Sequence, residues 1–416
     1  MPEPIPIRPQ SPVADLDALA EITEAVESGA GLPEVVRAAS RALGASLVLI
    51  DRSSAVLAVA ARSTADERAL VADADGVATH ELRVGDTIVG RLRMRGRATE
   101  PPAALLRVVT TLIASEVERL RAPERASEEA QAAFLAAVLR REVTDRDDIV
   151  ARAGDLGVDV TTGSAVVVAR AHHYAPADED WRARVLAAAE RAARSSAPGS
   201  LAAVVDMLTD DAGHVVVLLP AAGDEEVRRV AAAISRELRS SLHGFTFAVG
   251  HSRVAHDPVD LYRAGNEALL AANVAEAGPE DSVLAFEETG AYRLLLPAMS
   301  EDPAELQRFF AETVEPLVTY DEQYETDLVQ TLETFLDADA NVAGTASRLF
   351  THRHTIRYRL ERVRDLTGLD VSSTDGREKL GLGLKAMRVL GIAASRGPAT
   401  ETGAEGGRVR REPRDR

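Results

Sequence analysis

Residues 341–363 read Asn-Val-Ala-Gly-Thr-Ala-Ser-Arg-Leu-Phe-Thr-His-Arg-His-Thr-Ile-Arg-Tyr-Arg-Leu-Glu-Arg-Val, and the rest of the chain is best understood outward from them. Asn341 is a good helix N-cap, because its side chain can accept from the first free backbone N–H groups. Val342, Ala346 and Leu349 share one side of the short helix that follows, and its small residues permit close packing. Phe350 and Thr351 make a turn, with Thr351 expected as the second N-cap. Ile356, Leu360 and Val363 are then spaced as a single core-facing stripe. The pattern predicts a helix-turn-helix.

On a helical wheel with Ile356 at zero, Leu360 falls at about 40° and Val363 at about −20°. His354, Tyr358 and Glu361 point outward, at about 160°, −160° and 140°. Arg357 and Thr355 flank that outer face at about 100° and −100°. A polar, donor-rich helix face of this kind can enter a major groove, where Arg reads guanine edges.

Charge supports the same reading. The formal net charge is −18, yet residues 348–364 hold six arginines (Arg348, Arg353, Arg357, Arg359, Arg362 and Arg364) against one acid, Glu361. That segment carries +5 with both histidines neutral, which leaves −23 on everything else. Cations gathered on one helix favour local phosphate contact and keep the rest of the chain off a polyanion.

The 416 residues are 46% hydrophobic and 27% charged, ordinary globular proportions with enough apolar surface for several cores. Without cysteine there are no disulfides, thiolate zinc sites or Cys nucleophiles. No run approaches the roughly 18 apolar residues of a membrane helix, and residues 1–12 lack the apolar core of a signal peptide. A soluble, cytoplasmic protein with no membrane partner is expected.

Residues 1–14 are proline-rich and read as a disordered leader. Apolar positions between 15 and 43 suggest helices broken at residues 29–31. Residues 46–50 and 55–60 form a strand pair joined through 51–54, and residues 80–83 and 88–94 form a second. A helix over 101–121 closes the unit with proline at its start. The order of elements in 15–121 resembles a GAF-type sensor domain. The widened apolar face of the closing helix is either core packing or a signalling helix that continues into the next domain. Residues 122–148 read as a charged helical linker.

From residue 149 to 277, short strands alternate with helices, which suggests helices packed on a mainly antiparallel sheet. The segment Ala151-Arg152-Ala153-Gly154-Asp155-Leu156-Gly157-Val158 and the later Val249-Gly250-His251-Ser252 resemble the central domain of PucR/CdaR-type bacterial regulators. That resemblance implies a fold related to diguanylate cyclases. Such a cyclase needs a Gly-Gly-acidic-acidic turn and a metal carboxylate near the end of the first strand. Here the turn reads Asp210-Asp211-Ala212-Gly213-His214, and the strand end reads Ala169-Arg170-Ala171. A degenerate domain serving as scaffold or dimerisation unit is expected.

Residues 341–363, followed by Leu366-Thr367-Gly368-Leu369-Asp370 and an apolar helix over 379–390, resemble the C-terminal PucR-type helix-turn-helix. His352, Arg353, Thr355, Arg359 and Leu360 match its recognition helix position by position, while His354 stands where Asn is usual. The expected fold class is multidomain α+β: a GAF-like α/β sensor, a GGDEF-like α/β domain and an all-α C-terminal domain. Residues 278–325 are read as a connecting helical region, 326–392 as the helix-turn-helix domain and 393–416 as a disordered tail.

The resemblance implies a transcriptional regulator that binds double-stranded DNA as a homodimer or higher even oligomer. One helix-turn-helix offers few base contacts, so paired half-sites about 34 Å apart are expected. A small-molecule effector is expected at the N-terminal domain, with loop 62–77 among its lining. His354, Thr355, Arg357 and Tyr358 are candidates for base contact, and Arg348, Arg353, Arg359 and Arg362 for phosphate. Thr351 is the candidate cap, and His352 completes the set of DNA-binding candidates. No catalytic residue, cofactor or metal ligand is assigned. His352 and His354, two apart on a helix, would project about 200° from each other, and the adjacent His172 and His173 would face opposite sides of a strand. Two other readings stay open: an interaction module whose arginine face meets an acidic protein, and a nucleotide cyclase.

Overall fold

A computed structural model describes residues 12–96, 101–173, 180–206, 214–276, 278, 282–301 and 303–392. The chain divides into two compact units, one of residues 1–130 with 178–187 and one of residues 131–177 with 188–416. Residues 210–213 of the turn discussed above, the tail and most of the leader lie outside the described residues.

The first unit opens with α1 (Pro12–Glu27) and α2 (Leu32–Leu43), so helix begins inside the stretch read as a leader. Strands β1 (Ala45–Ile50) and β2 (Val56–Ala60), helix α3 (Thr64–Val71), and strands β3 (Ala78–Val84) and β4 (Thr87–Gly96) follow. The antiparallel sheet has the order β2-β1-β4-β3. All six residues of β1 are buried, because both faces of that strand are covered. Leu47 and Leu49 pack with Val35, Val36, Leu92, Val109 and Ile113, while Val48 and Ile50 meet Leu70 of α3. Loop 62–77 is thus partly helical, and it closes one face of the sheet with an apolar side chain.

The two sheet pairs expected from the sequence are present. The first hairpin turns through Ser54 at φ 65°. It is pinned by buried Asp51, which accepts from Ala55 N at 2.7 Å and pairs with Arg121 at 2.8 Å. One boundary differs. The closing helix α4 (Ala103–Leu139) does not stop near residue 121 but runs on with Pro123 inside it. A proline there removes one backbone hydrogen bond, and the helix accommodates that loss. The real break follows Leu139, where Arg141 adopts φ 62°, and α5 (Arg146–Asp155) restarts from the side-chain cap of Asp145.

The second unit contains β5 (Ser164–His173), β6 (Leu201–Val205), β7 (His214–Pro220), β8 (Phe245–His251) and β9 (Val283–Ala285), in the sheet order β6-β7-β5-β8-β9. Among the described residues of this sheet, only the β8–β9 pair is parallel. Helices α6 (Trp181–Ser196), α7 (Asp224–Ser241) and α8 (Leu261–Glu276) accompany it. Val166, Val168, Val216 and Leu218 form one core face with Leu261, Ala268 and Ala272 of α8. Gly250 explains the Val-Gly-His-Ser motif. A Cβ there would lie 2.1 Å from Ala272 N and 2.3 Å from Ala268 O, so helix and strand can touch only over glycine.

The remainder is helical: α9 (Leu296–Glu301), α10 (Pro303–Thr313), α11 (Glu315–Tyr324), α12 (Leu328–Asp337), α13 (Val342–Arg348), α14 (Arg353–Thr367) and α15 (Thr374–Val389). Residues 278–325 are not a mere connection. Met299, Leu306, Phe310, Val314 and Leu317 share one core with Leu328, Leu332, Val363, Leu380 and Leu384. A helix-turn-helix of four short helices has too little apolar surface of its own, and α10 and α11 complete its core. Among the described residues, no helix is long and apolar enough to cross a membrane.

Candidate nucleic-acid interface

The expected helix-turn-helix is α13 and α14. Asn341 caps α13, its Oδ1 accepting from Ala343 N at 3.0 Å and Gly344 N at 3.1 Å. Ile356, Leu360 and Val363 are all buried, with Ile356 and Leu360 packed on Phe335 and Ala346. That stripe sets the rotation of α14 about its axis, and so fixes which side chains face outward.

The second cap differs from the expectation. The turn spans Leu349 to Thr351, with Phe350 at φ 49° and Thr351 N donating to Ala346 O at 3.0 Å. This backbone bond holds Thr351 in the turn, so the N-cap falls on His352, whose Nδ1 accepts from His354 N at 3.3 Å. His352 therefore lies outside the regular helix, and the 200° separation expected for two helical residues does not apply. The rings of His352 and His354 stack, with centroids 5.0 Å apart and planes 20° from parallel. Stacked rings present faces, not converging lone pairs, and His352 Nδ1 is already an acceptor. At the other pair, His172 is bonded to Glu276, while the side chain of His173 lies outside the described residues.

Arg353, His354, Arg357 and Tyr358 are exposed, Tyr358 at 67%. Arg353 and Arg357 make no ion pair or hydrogen bond among the described residues. Thr355 is half-buried. Arg348 is exposed and donates to the carbonyl of Asp337 at 3.0 Å, closing the C-terminal end of α12.

Two of the phosphate candidates are differently employed. Arg359 is half-buried and reaches back to α12, donating to Thr331 Oγ1 at 3.0 Å and to Asp327 Oδ2 at 3.2 Å. Arg362 lies over the ring of Tyr320 on α11, 4.8 Å from its centroid. Both hold α14 on its neighbours. Asp327, Thr331 and Tyr320 were not among the sequence candidates. Arg359 sits only about 60° from Ile356 on the wheel, and that angle was the available signal.

In the middle domain, the strand expected to end near Ala169 runs on to His173, and the position where a cyclase would place a metal carboxylate holds Arg170, whose side chain is 3% exposed. Its guanidinium donates to Asn273 Oδ1 at 2.6 Å and to Gly391 O at 3.0 Å, and pairs with Glu276 at 2.9 Å. His214 Nε2 lies 3.2 Å away. A fixed cation repels a divalent ion and engages the nearest carboxylate, so these residues do not fit a metal–nucleotide site.

Residues 328–386 match the PucR C-terminal helix-turn-helix domain, and residues 140–274 match a GGDEF-like domain. The C-terminal domain belongs to the PucR helix-turn-helix family, and the middle domain is GGDEF-like. The PucR match spans α12 through most of α15, and so contains the exposed face of α14.

Three curated relatives come from Bacillus subtilis (strain 168). The DNA-binding transcriptional activator AdeR is 23% identical over 185 residues, 43% of each chain. The purine catabolism regulatory protein is 27% identical over 134 residues, 32% of this chain and 24% of that one. The proline-responsive transcriptional activator PutR is 25% identical over 195 residues, 44% of this chain and 47% of that one. Each match spans less than half of the relative.

Proposed function

We propose that this chain is a DNA-binding transcriptional regulator that reads a duplex through α14. The observation that carries this reading is the outer face of that helix. Arg353, His354, Arg357 and Tyr358 stand exposed together on a helix whose rotation is fixed by Ile356, Leu360 and Val363. They do so in a chain with a net charge of −18. His354, Arg357 and Tyr358 contact base edges, with Thr355 at their margin. Arg353 and Arg348 contact phosphate. Arg359 and Arg362 position the helix, and His352 begins it.

Two copies bind paired half-sites about one helical turn apart, since one head buries too little to select a genomic address. The GGDEF-like domain serves as a scaffold, a role supported by the buried Arg170 in place of a metal carboxylate. The GAF-like N-terminal unit senses an effector; response to an effector has a precedent in the relative named for its response to proline, whose match covers 44% of this chain.

The test is selection of duplexes from a random-sequence pool by the full-length protein, followed by footprinting. Affinity is then compared between selected and scrambled DNA at about 150 mM salt, near physiological ionic strength. A footprint of two similar half-sites, lost on scrambling, is expected. Equal weak affinity for both DNAs would sink the reading and leave an acidic protein as the partner of the arginine face.

A further inference from the structure

Resting on that reading, we infer that Phe350 is a further specificity-determining residue, its ring packing against a thymine methyl at the edge of the major groove. Phe350 is 92% exposed, more than any other large hydrophobic side chain among the described residues. Its exposure is imposed by the backbone. Phe350 N donates to Ser347 O at 3.3 Å and Thr351 N to Ala346 O at 3.0 Å, so the turn is pinned on both sides of the ring. The residue also sits at φ 49°, in the left-handed region that favours glycine. An apolar ring is thus held in water at a position where glycine would be easier and would expose nothing.

Placement supplies the occupant. Phe350 lies two residues before the cap of α14, at the N-terminal end of the helix, which in a helix-turn-helix is the end that meets base edges. The exposed Arg348, Arg353 and Arg357 are its sequence neighbours, so whatever covers the ring is drawn in by negative charge. In the major groove of a polyanionic duplex, the C5-methyl of thymine is the apolar group that can receive such a ring. A phenyl group there favours thymine over cytosine or purine at one position, adding an apolar element to the donor readout of Arg357 and Tyr358.

The experiment uses the full-length protein and a duplex selected by it from a random pool. Phe350→Gly removes the ring and relieves the left-handed backbone, and Phe350→Leu keeps an apolar side chain. Thymines are replaced one at a time by deoxyuridine, which deletes only the methyl. Phe350→Gly should melt at or above the wild-type temperature yet bind the selected duplex about tenfold more weakly, the order expected for one apolar side chain left uncovered. Phe350→Leu should fall between them. One deoxyuridine should weaken the wild type several-fold and leave Phe350→Gly unaffected.

The inference is overturned if Phe350→Gly binds the selected duplex as the wild type does. It is equally overturned if every deoxyuridine penalty persists in that variant, or if the variant changes the sedimentation of the DNA-free protein, which would place the ring against a second copy. Failure of the wild type to prefer selected over scrambled DNA would instead overturn the DNA-reading function itself.

Discussion

Arg359 and Arg357 are two residues apart on one helix, and the fold gives them opposite work. Arg359 turns inward to Asp327 and Thr331, whereas Arg357 stands free in solvent. Arg359→Ala should therefore lower stability by about 1 kcal/mol, less than the roughly 1.5–3 kcal/mol of a buried charge-assisted bond because the pair is partly solvated, and leave the salt dependence of DNA binding unchanged. Arg357→Ala should do the reverse, changing sequence preference by roughly 1–3 kcal/mol with an unaltered melting temperature. Arg353→Ala should weaken all sequences alike and flatten the slope of log affinity against log salt by about one unit. Competition binding over a salt series, with thermal melts of each variant, separates the three. His251 gives a pH test at the same scale. Burial depresses its pKa below the ordinary value, opposed by its bond to the Ser252 carbonyl. The folded state then binds fewer protons than the unfolded chain, so stability is full above the unfolded pKa, about 6.5, and is lost as pH falls below it. Urea midpoints between about pH 7.5 and pH 5.5 should drop more steeply for the wild type than for His251→Gln.

At the scale of elements, caps and stripes were legible while lengths and joins were less so. Asn341 was readable as a cap because Asx capping is a local competition between one side chain and two or three backbone donors. Asn341→Ala should cost about 1 kcal/mol in urea unfolding and loosen the turn into α14, whereas Asn341→Ser should be near neutral. The cap of α14 was misplaced by one residue because Thr351 N is taken by Ala346 O, a bond that depends on how the turn closes. The run of α4 through Pro123 was also out of reach, since a proline argues locally for a helix end. The unbroken run of β1 hides a related ambiguity. Six consecutive apolar or small residues can be a strand covered on both sides, and only α3 shows what covers the second face.

Across the second unit, the end of α15 is tied to the sheet of the GGDEF-like domain. Arg170 and Asn273 donate to the carbonyl oxygens of Gly391 and Val389, at 3.0 and 2.8 Å, and a cation at a helix C-terminus is favourably placed. Gly391 adopts φ 73°, and a Cβ there would lie 2.4 Å from Arg170 Nη1, against a guanidinium that Asn273 and Glu276 already hold. Gly391→Ala should destabilise the protein by about 1–3 kcal/mol, combining left-handed strain with the clash. Arg170→Met should cost more, because Glu276 would lose its buried partner. Urea midpoints of both variants check this ranking, and an unchanged midpoint for Gly391→Ala would show that the contact contributes nothing.

The amino-acid sequence alone determined the helix-turn-helix, the inward stripe of Ile356, Leu360 and Val363, the two strand pairs of the first unit and the gathering of cations on a single segment. These follow from periodicity, capping and charge, which act within a turn or two of helix and need no knowledge of distant neighbours. Only the tertiary structure decided which arginines are free. Whether Arg359 meets Asp327, Arg362 meets Tyr320 or Arg170 meets Gly391 depends on groups 32, 42 and 221 positions away in the sequence. It also decided that α10 and α11 complete the core of the helix-turn-helix domain, since apolar faces show only that they must be buried, not against what.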